Sequence, residues 1–316
     1  MIKNNFPRII TQKFKIDYME RQFKRCNGYD LNLEAPKTFN EKIAWTKAFY
    51  RNRLLIKCSD KFAVREYVEK KIGKDYLIKL AGKGIYNSLS EIDFESLPDK
   101  FVLKATNGWE ANILCNDKQN LDLDEARKAL EEWLDKGHSH YYRNFEWAYR
   151  NIKPRIICEE FLDPTGGLAD YKVWCFGGHA EVIQVCFNRG TGGHTNDHFT
   201  REWEKLEFAR VAPNSDMKIQ KPELLEQMIS ISEKLSKGFP FVRVDLYIID
   251  EQIKFGELTF YSGNGTAPFN PREWDVKFGE LFLLPKKSFI FPLEINQRKI
   301  NALSIIRNAI KKKKNE

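Results

Sequence analysis

The run FVRVDLYII at 241–249, followed after two residues by QIKFGELTF at 252–260, constrains this chain more than any other stretch. Apolar and polar residues alternate in the first run. Val242, Val244, Leu246 and Ile248 therefore share one face of a strand, while Arg243, Asp245 and Tyr247 point the other way. The two runs read as a hairpin. With Glu251 at the centre of the turn, residues whose numbers sum to 502 face each other, which sets Asp245 opposite Glu257 and Arg243 opposite Thr259. Two like charges directly opposed on a sheet are unfavourable. A hard divalent cation between them reverses that, and Mg²⁺ favours one or two carboxylates completed by phosphate oxygens and water. The plain alternative is a solvated sheet face on which Asp245 and Glu257 pair with Arg243 and Lys254. The hairpin alone leaves both open.

The rest of the chain reads as strands with flanking helices, an α+β pattern. Residues 1–56 are mostly helical, and Thr38 with Glu41 three residues on forms a capping box before a helix. Ser59 or Asp60 opens a second helix with Phe62, Val64, Tyr67 and Val68 on one stripe and Gly73 as its stop. FVLKA and NILC read as strands on either side of a tight loop, and a helix with Ala126, Ala129, Leu130, Trp133 and Leu134 on one face follows near 123–136. After the break at Pro154, RIICEEFL is a short buried strand and DPTGG a turn. YKVWCF and EVIQVCF on either side of Gly177-Gly178 predict a hairpin with a primed turn. Residues 188–202, with Arg189, His194 and His198, read as a Gly-rich loop; a helix at about 221–237 precedes the last hairpin, and SGNGT follows it as a second Gly-rich loop.

The net charge of +8 points to nucleic acid only until it is located. Residues 286–316 hold nine basic and two acidic side chains, a net +7, which leaves +1 for residues 1–285. Phosphate-backbone binding needs a clustered positive face, so no nucleic-acid partner is expected. No apolar run approaches the 18 or so residues that cross a bilayer, and MIKNNFPRII is too short and polar for a signal peptide, so the expected location is the cytoplasm. The six cysteines are scattered without a CxxC pair and read as reduced and structural.

Lys104 interrupts an apolar strand just before Asn107-Gly108, where backbone N–H groups can approach a phosphate; a snorkelling edge-strand lysine is the competing reading. Walker A, GxGxxG after a strand, and GxSxG are all absent. His194 and His198 lack a third ligand for zinc, and no cysteine has a histidine neighbour that would activate it.

Taken in order, SDKFAVREYV, FVLKATNG, ICEEFL, DYKVWCF and RVDLYII…KFGELTF resemble the successive ATP-binding elements of the ATP-grasp superfamily. More narrowly, PKTFNEKIAW, DKFAVREYVEKKIG, DFESLPDKFVLK, NIKPRIICEEFL and FPFVRVDLY resemble the TupA-like branch associated with bacterial surface polysaccharide genes, over roughly residues 30–285. The resemblance implies an ATP-grasp fold in which two α+β lobes enclose ATP: a helical region at 1–56, a small lobe at 57–158, a C-terminal lobe with the metal site at 159–285 and a basic tail at 286–316. It implies that Lys61 and Lys104 bind phosphates under a lid that includes Asn107 and Gly108. Glu159, Glu160, Phe161 and Leu162 match the adenine hinge, Asp170 the ribose carboxylate, and Lys172 would reach toward the phosphates. Asp245 and Glu257 match the Mg²⁺ ligands, with Thr259 where many relatives have Asn, and Arg243 matches the arginine that steadies the transferred phosphoryl group. Cys186 and Asn188 stand where acidic residues are common in the branch.

The implied activity is a carboxylate–amine ligase working through an acylphosphate, with Arg189 and Lys172 gripping the acceptor. Its partners would be a small-molecule amine and a carboxylated sugar or glycan precursor. A phosphotransferase on the same site, a glycosyltransferase and a non-catalytic glycan-binding module are the alternatives. The tail places Ile300, Leu303, Ile306 and Ile310 at helical spacing before Lys311–Lys314. Contact of 300–316 with an anionic membrane and packing on the protein's own body are its two readings.

Overall fold

The computed structural model describes residues 12–135, 141, 144–162, 169–187 and 193–285. Arg189, Asn188, His138, His140, the DPTGG turn and the tail 286–316 lie outside them. Helices α1 (Gln12–Asn27), α2 (Phe39–Phe49), α3 (Arg53–Ser59) and α4 (Val64–Ile72) come first. Strands β1 (Leu80–Tyr86), β2 (Phe101–Ala105) and β3 (Asn112–Cys115), helix α5 (Leu123–Asp135) and β4 (Ile156–Glu160) follow. Then come β5 (Ala169–Phe176), β6 (His179–Phe187), β7 (Thr195–Phe199), β8 (Lys205–Leu206), α6 (Leu225–Ser236), β9 (Phe241–Ile249), β10 (Gln252–Thr259) and α7 (Glu273–Leu281).

The strands form two antiparallel sheets, a four-stranded one in the order β1-β4-β2-β3 and a six-stranded one in the order β10-β9-β5-β6-β7-β8. Gly177 and Gly178 join β5 to β6 with φ of 59° and 96°, the backbone that a primed turn demands. Thr38 caps α2 as expected: its side chain accepts from the Glu41 N–H while Glu41 Oε2 accepts from the Thr38 N–H at 2.9 Å.

Two expectations shift. The helix expected from Ser59 or Asp60 begins at Val64, because Asp60 Oδ1 accepts from the Phe62 and Ala63 N–H groups at 2.8 and 3.0 Å and holds a turn there. The stretch read as a loop at 188–202 contains β7, which pairs with β6 and puts His198 opposite Gln184.

One core lies against the six-stranded sheet and a second, with Leu130 of α5, against the four-stranded sheet. The first core reaches into the N-terminal helices. Phe39, at the start of α2, is fully buried with its ring centroid 4.9 Å from Phe241 and 5.5 Å from Trp174. The last helix closes over this region, where Lys42 Nζ donates to the Gly279 carbonyl at 2.7 Å.

Candidate active site

The β9–β10 hairpin turns on two residues, Asp250 and Glu251, both with positive φ (48° and 58°). Near the turn the pairs are Ile253 with Ile248 and Phe255 with Leu246, whose numbers sum to 501. A bulge at Gly256 then adds one residue, so that Glu257 faces Asp245 and Thr259 faces Arg243. The expected pairing holds, although the turn is centred half a residue earlier than assumed. Bulges also switch faces: Ile253 and Phe255 before Gly256, and Leu258 after it, are all buried, while Glu257 and Thr259 emerge on the polar side. Gly256 is tightly enclosed, since a Cβ there would lie 3.0 Å from the Tyr247 ring and 3.1 Å from the Asp245 carbonyl oxygen.

Cross-strand pairing extends this polar face, with Lys172 beside Asp245, Trp174 beside Arg243, and Asp170 opposite Cys186. Arg243 donates from Nε and Nη2 to the two oxygens of Asp245, each at 2.6 Å. Its Nη2 also donates to Thr259 Oγ1 at 3.2 Å, and that hydroxyl donates onward to Glu257 Oε1 at 3.0 Å. Lys172 Nζ donates to Asp245 Oδ2 at 2.9 Å and to both oxygens of Asp170 at 2.8 and 2.7 Å. Burial alone would raise the Asp245 carboxyl, but Arg243 and Lys172 outweigh it and hold the group below the usual carboxylate range. Burial likewise opposes the Lys172 charge, and Asp245 and Asp170 overcome it, so that its pKa lies above the ordinary value.

A second polar group gathers on the smaller sheet. Lys104 on β2 donates to Glu159 Oε2 at 2.7 Å, and Arg65 on α4 reaches Glu159 Oε1 at 3.3 Å. The Glu160 N–H donates to the Lys79 carbonyl at 2.9 Å, while Phe161 and Leu162 continue as half-buried coil. Lys61 Nζ donates to the carbonyl of Gly108, and beside that loop the buried Asn107 Nδ2 has no partner. Burial lowers the Lys61 ammonium, and Glu257 heads the charges that oppose this, ahead of Glu159. Glu257 therefore helps to keep the Lys61 ammonium charged.

An unpaired buried donor beside two lysines suits a phosphate, and Asp245, Glu257 and Thr259 suit Mg²⁺, which completes its shell with phosphate oxygens and water. Among the described residues no cluster of three or more His, Cys, Asp or Glu could hold a metal unaided. His198 is buried, stacked on Phe208 at 4.1 Å, and burial with Arg210 nearby drives its pKa down to about 3.

Several polar residues here went unsingled in the sequence. Lys47 on α2 is buried and donates to the Asn264 carbonyl at 2.9 Å and to its Oδ1 at 2.5 Å. Glu146 is also buried; burial pushes its carboxyl up to about 7, with Lys47 opposing and Glu257 adding to the shift. Arg210 lies inside the protein among Phe39, Trp174 and Phe269, its Cζ 5.4, 5.3 and 4.8 Å from the ring centroids. It donates to Ser262 Oγ at 3.1 Å, to the Ser262 carbonyl at 3.0 Å and to Asn40 Oδ1 at 3.4 Å, which ties the SGNG loop to α2. These contacts join positions from distant parts of the chain, and the only local cue is a charged residue amid apolar neighbours.

One sheet thus carries Lys104 and the loop with Asn107, and the other carries the carboxylate hairpin. The family model for TupA-like ATPgrasp matches residues 41–283. The chain belongs to the TupA-like ATP-grasp family. No curated protein matches it. Among solved structures it is similar to a D-alanine–D-alanine ligase from Bacillus anthracis complexed with ATP, at 16% identity, 65% of this chain, 54% of that chain and a TM-score of 0.38. It is also similar to D-alanine–D-alanine ligase from Helicobacter pylori, at 14% identity, 78% and 69% coverage and a TM-score of 0.41. A third is N5-carboxyaminoimidazole synthase from Aspergillus clavatus, at 12% identity, 68% and 46% coverage and a TM-score of 0.36. The TupA-like chain thus spans a little over half the length of the Bacillus ligase.

Proposed function

We propose that this chain is an ADP-forming carboxylate–amine ligase that uses ATP and Mg²⁺. The observation that carries the reading is the array Arg243–Asp245–Lys172 with Glu257 and Thr259, whose Glu257 charge acts on Lys61. In such a reaction a substrate carboxylate oxygen attacks the γ-phosphorus, ADP leaves, and an acylphosphate forms. An amine nitrogen then attacks the acyl carbon and inorganic phosphate departs. The main demand is positive charge at fixed positions around the moving phosphoryl group. Lys61 and Lys104 bind the nucleotide phosphates, the 106–112 loop covers them, and the 159–162 segment holds adenine through its backbone. Arg243, fixed by two charge-assisted bonds to Asp245, is aimed at the transferred group. What Mg²⁺ supplies when held by Asp245 and Glu257 is neutralisation of charge on the phosphates.

The carboxylate substrate is proposed to be a uronic acid of a bacterial surface polysaccharide or its precursor, a reading supported by the family resemblance. ADP release measured against a panel of uronic acids and amines tests it, and release should require both partners. Full turnover with a sugar alone, yielding a phosphorylated sugar, would assign a kinase instead. Glu257→Ala should lower ADP release at least about a hundredfold, the scale of losing one preorganised electrostatic contact. Its side chain is 40% exposed, so folding should be unaffected. Normal turnover of this variant would remove Glu257 from the metal site.

A further inference from the structure

Asp245 is held by two cations at once. Arg243 engages both of its oxygens and Lys172 shares Oδ2; Asp245 and Lys172 are buried, their side chains exposing 4% and 5%, and Arg243 is half-buried at 16%. A carboxylate offers about four lone-pair positions. Here three of them receive cationic donors. Glu257 is only partly an alternative, because Thr259 donates to its Oε1 and Arg243 Nη2 stands 3.6 Å away. A divalent ion approaching Asp245 therefore meets two fixed positive charges in a site where solvent screens them little.

A polyphosphate changes this balance. Its oxygens accept charge-assisted bonds from lysine and arginine, and it brings several negative charges of its own. Asp170 already holds Lys172 through two bonds, so Lys172 keeps a counter-ion when Asp245 turns to a metal. Without that second carboxylate the exchange would strand a buried ammonium. We infer that Lys172 and Arg243 withhold Asp245 from divalent metal until a polyphosphate gives them a replacement counter-ion, so that metal enters with nucleotide and not before it. Lys172 acts here as a positioning residue that sets the order of binding. The inference rests on the nucleotide reading of the cleft.

Mn²⁺ titration of the full-length protein, followed by electron paramagnetic resonance, tests it without turnover. Wild-type protein should leave Mn²⁺ free at concentrations where protein with β,γ-imido-ATP binds it well beyond the share that the analogue takes up without protein. Lys172→Met should bind Mn²⁺ without nucleotide at least about tenfold more tightly than wild type. Should that variant fail to fold, Asp170→Asn with Lys172→Met removes one charge of each sign and should show the same gain. Wild-type protein that binds Mn²⁺ alone as tightly as with the analogue overturns the inference, as does a folded variant with no gain. Failure of Mn²⁺ to bind wild type even with β,γ-imido-ATP overturns the nucleotide reading itself, and with it the inference.

Discussion

Deleting Gly256 should cost far less than the loss of a residue from the middle of a strand usually does. The bulge is what lets Phe255 and Leu258 share the buried face although they stand three positions apart. In a regular strand that spacing would put them on opposite faces. Without Gly256 they stand two positions apart, and regular alternation alone keeps Ile253, Phe255, Leu258 and Phe260 on one face, each at most 5% exposed in the intact protein. The pairs Phe255 with Leu246 and Glu257 with Asp245 then follow one another in an unbroken ladder, and Glu257 and Thr259 stay opposite Asp245 and Arg243. Had one side of the hairpin to flip, two large apolar side chains would lose burial worth about 1.5–3 kcal/mol apiece, a total of about 3–6 kcal/mol. That would be a large share of the stability of an ordinary domain, about 5–15 kcal/mol. Urea unfolding followed by tryptophan fluorescence measures the loss, which should stay below about 3 kcal/mol, with Gly256→Ala as a comparison whose new methyl meets the close contacts at Tyr247 and Asp245. A deletion variant destabilised by about 3–6 kcal/mol would refute the argument, because a loss on that scale means that one side of the hairpin has turned out of the core.

Glu146 should impose a pH slope on stability: its folded pKa of about 7 exceeds the unfolded value near 4.3, so its contribution is fully present below that value and is lost as pH rises through 7. Glu146→Gln should flatten this decline in urea midpoints between about pH 4 and 7, and an unchanged slope would count against the burial argument. Phe39→Ala should destabilise by about 3–5 kcal/mol, because α2 supplies a fully buried ring to the core of the larger sheet. A loss below about 1 kcal/mol in the same assay would mean that the N-terminal helices are peripheral to that core.

Legibility from sequence followed the range of the contacts. The capping box at Thr38, the Gly177-Gly178 turn and the polar face of β9 depend on neighbours within a few positions, and each could be read directly. The Asp245–Glu257 pairing emerged from a turn centre half a residue too late, offset by a bulge that was not anticipated. The cue was present, since the apolar positions 253 and 255 give way to 258 and 260 at Gly256. The glycines near His198 make its stretch read as a loop, whereas the rings that enclose it come from Trp174 and Phe208. Lys47 and Glu146 are the least legible, because only folding brings α2, the 144–149 segment and the SGNG loop together.

The SGNG loop is not a transplantable part. Its shape is anchored by Arg210, and any side chain at position 263 would strike that guanidinium, with a Cβ only 2.5 Å from Nη2 and 2.7 Å from the Ala267 methyl. The same guanidinium reaches Asn40 on α2 and lies among rings from Phe39, Trp174 and Phe269. A loop exchanged between relatives to alter what the cleft accepts would have to carry a matching residue at 210 and compatible partners at 40 and 262. Evolution is under the same constraint. Change at this corner should come in coordinated sets, with the loop, the arginine and the first turn of α2 drifting together or staying fixed together.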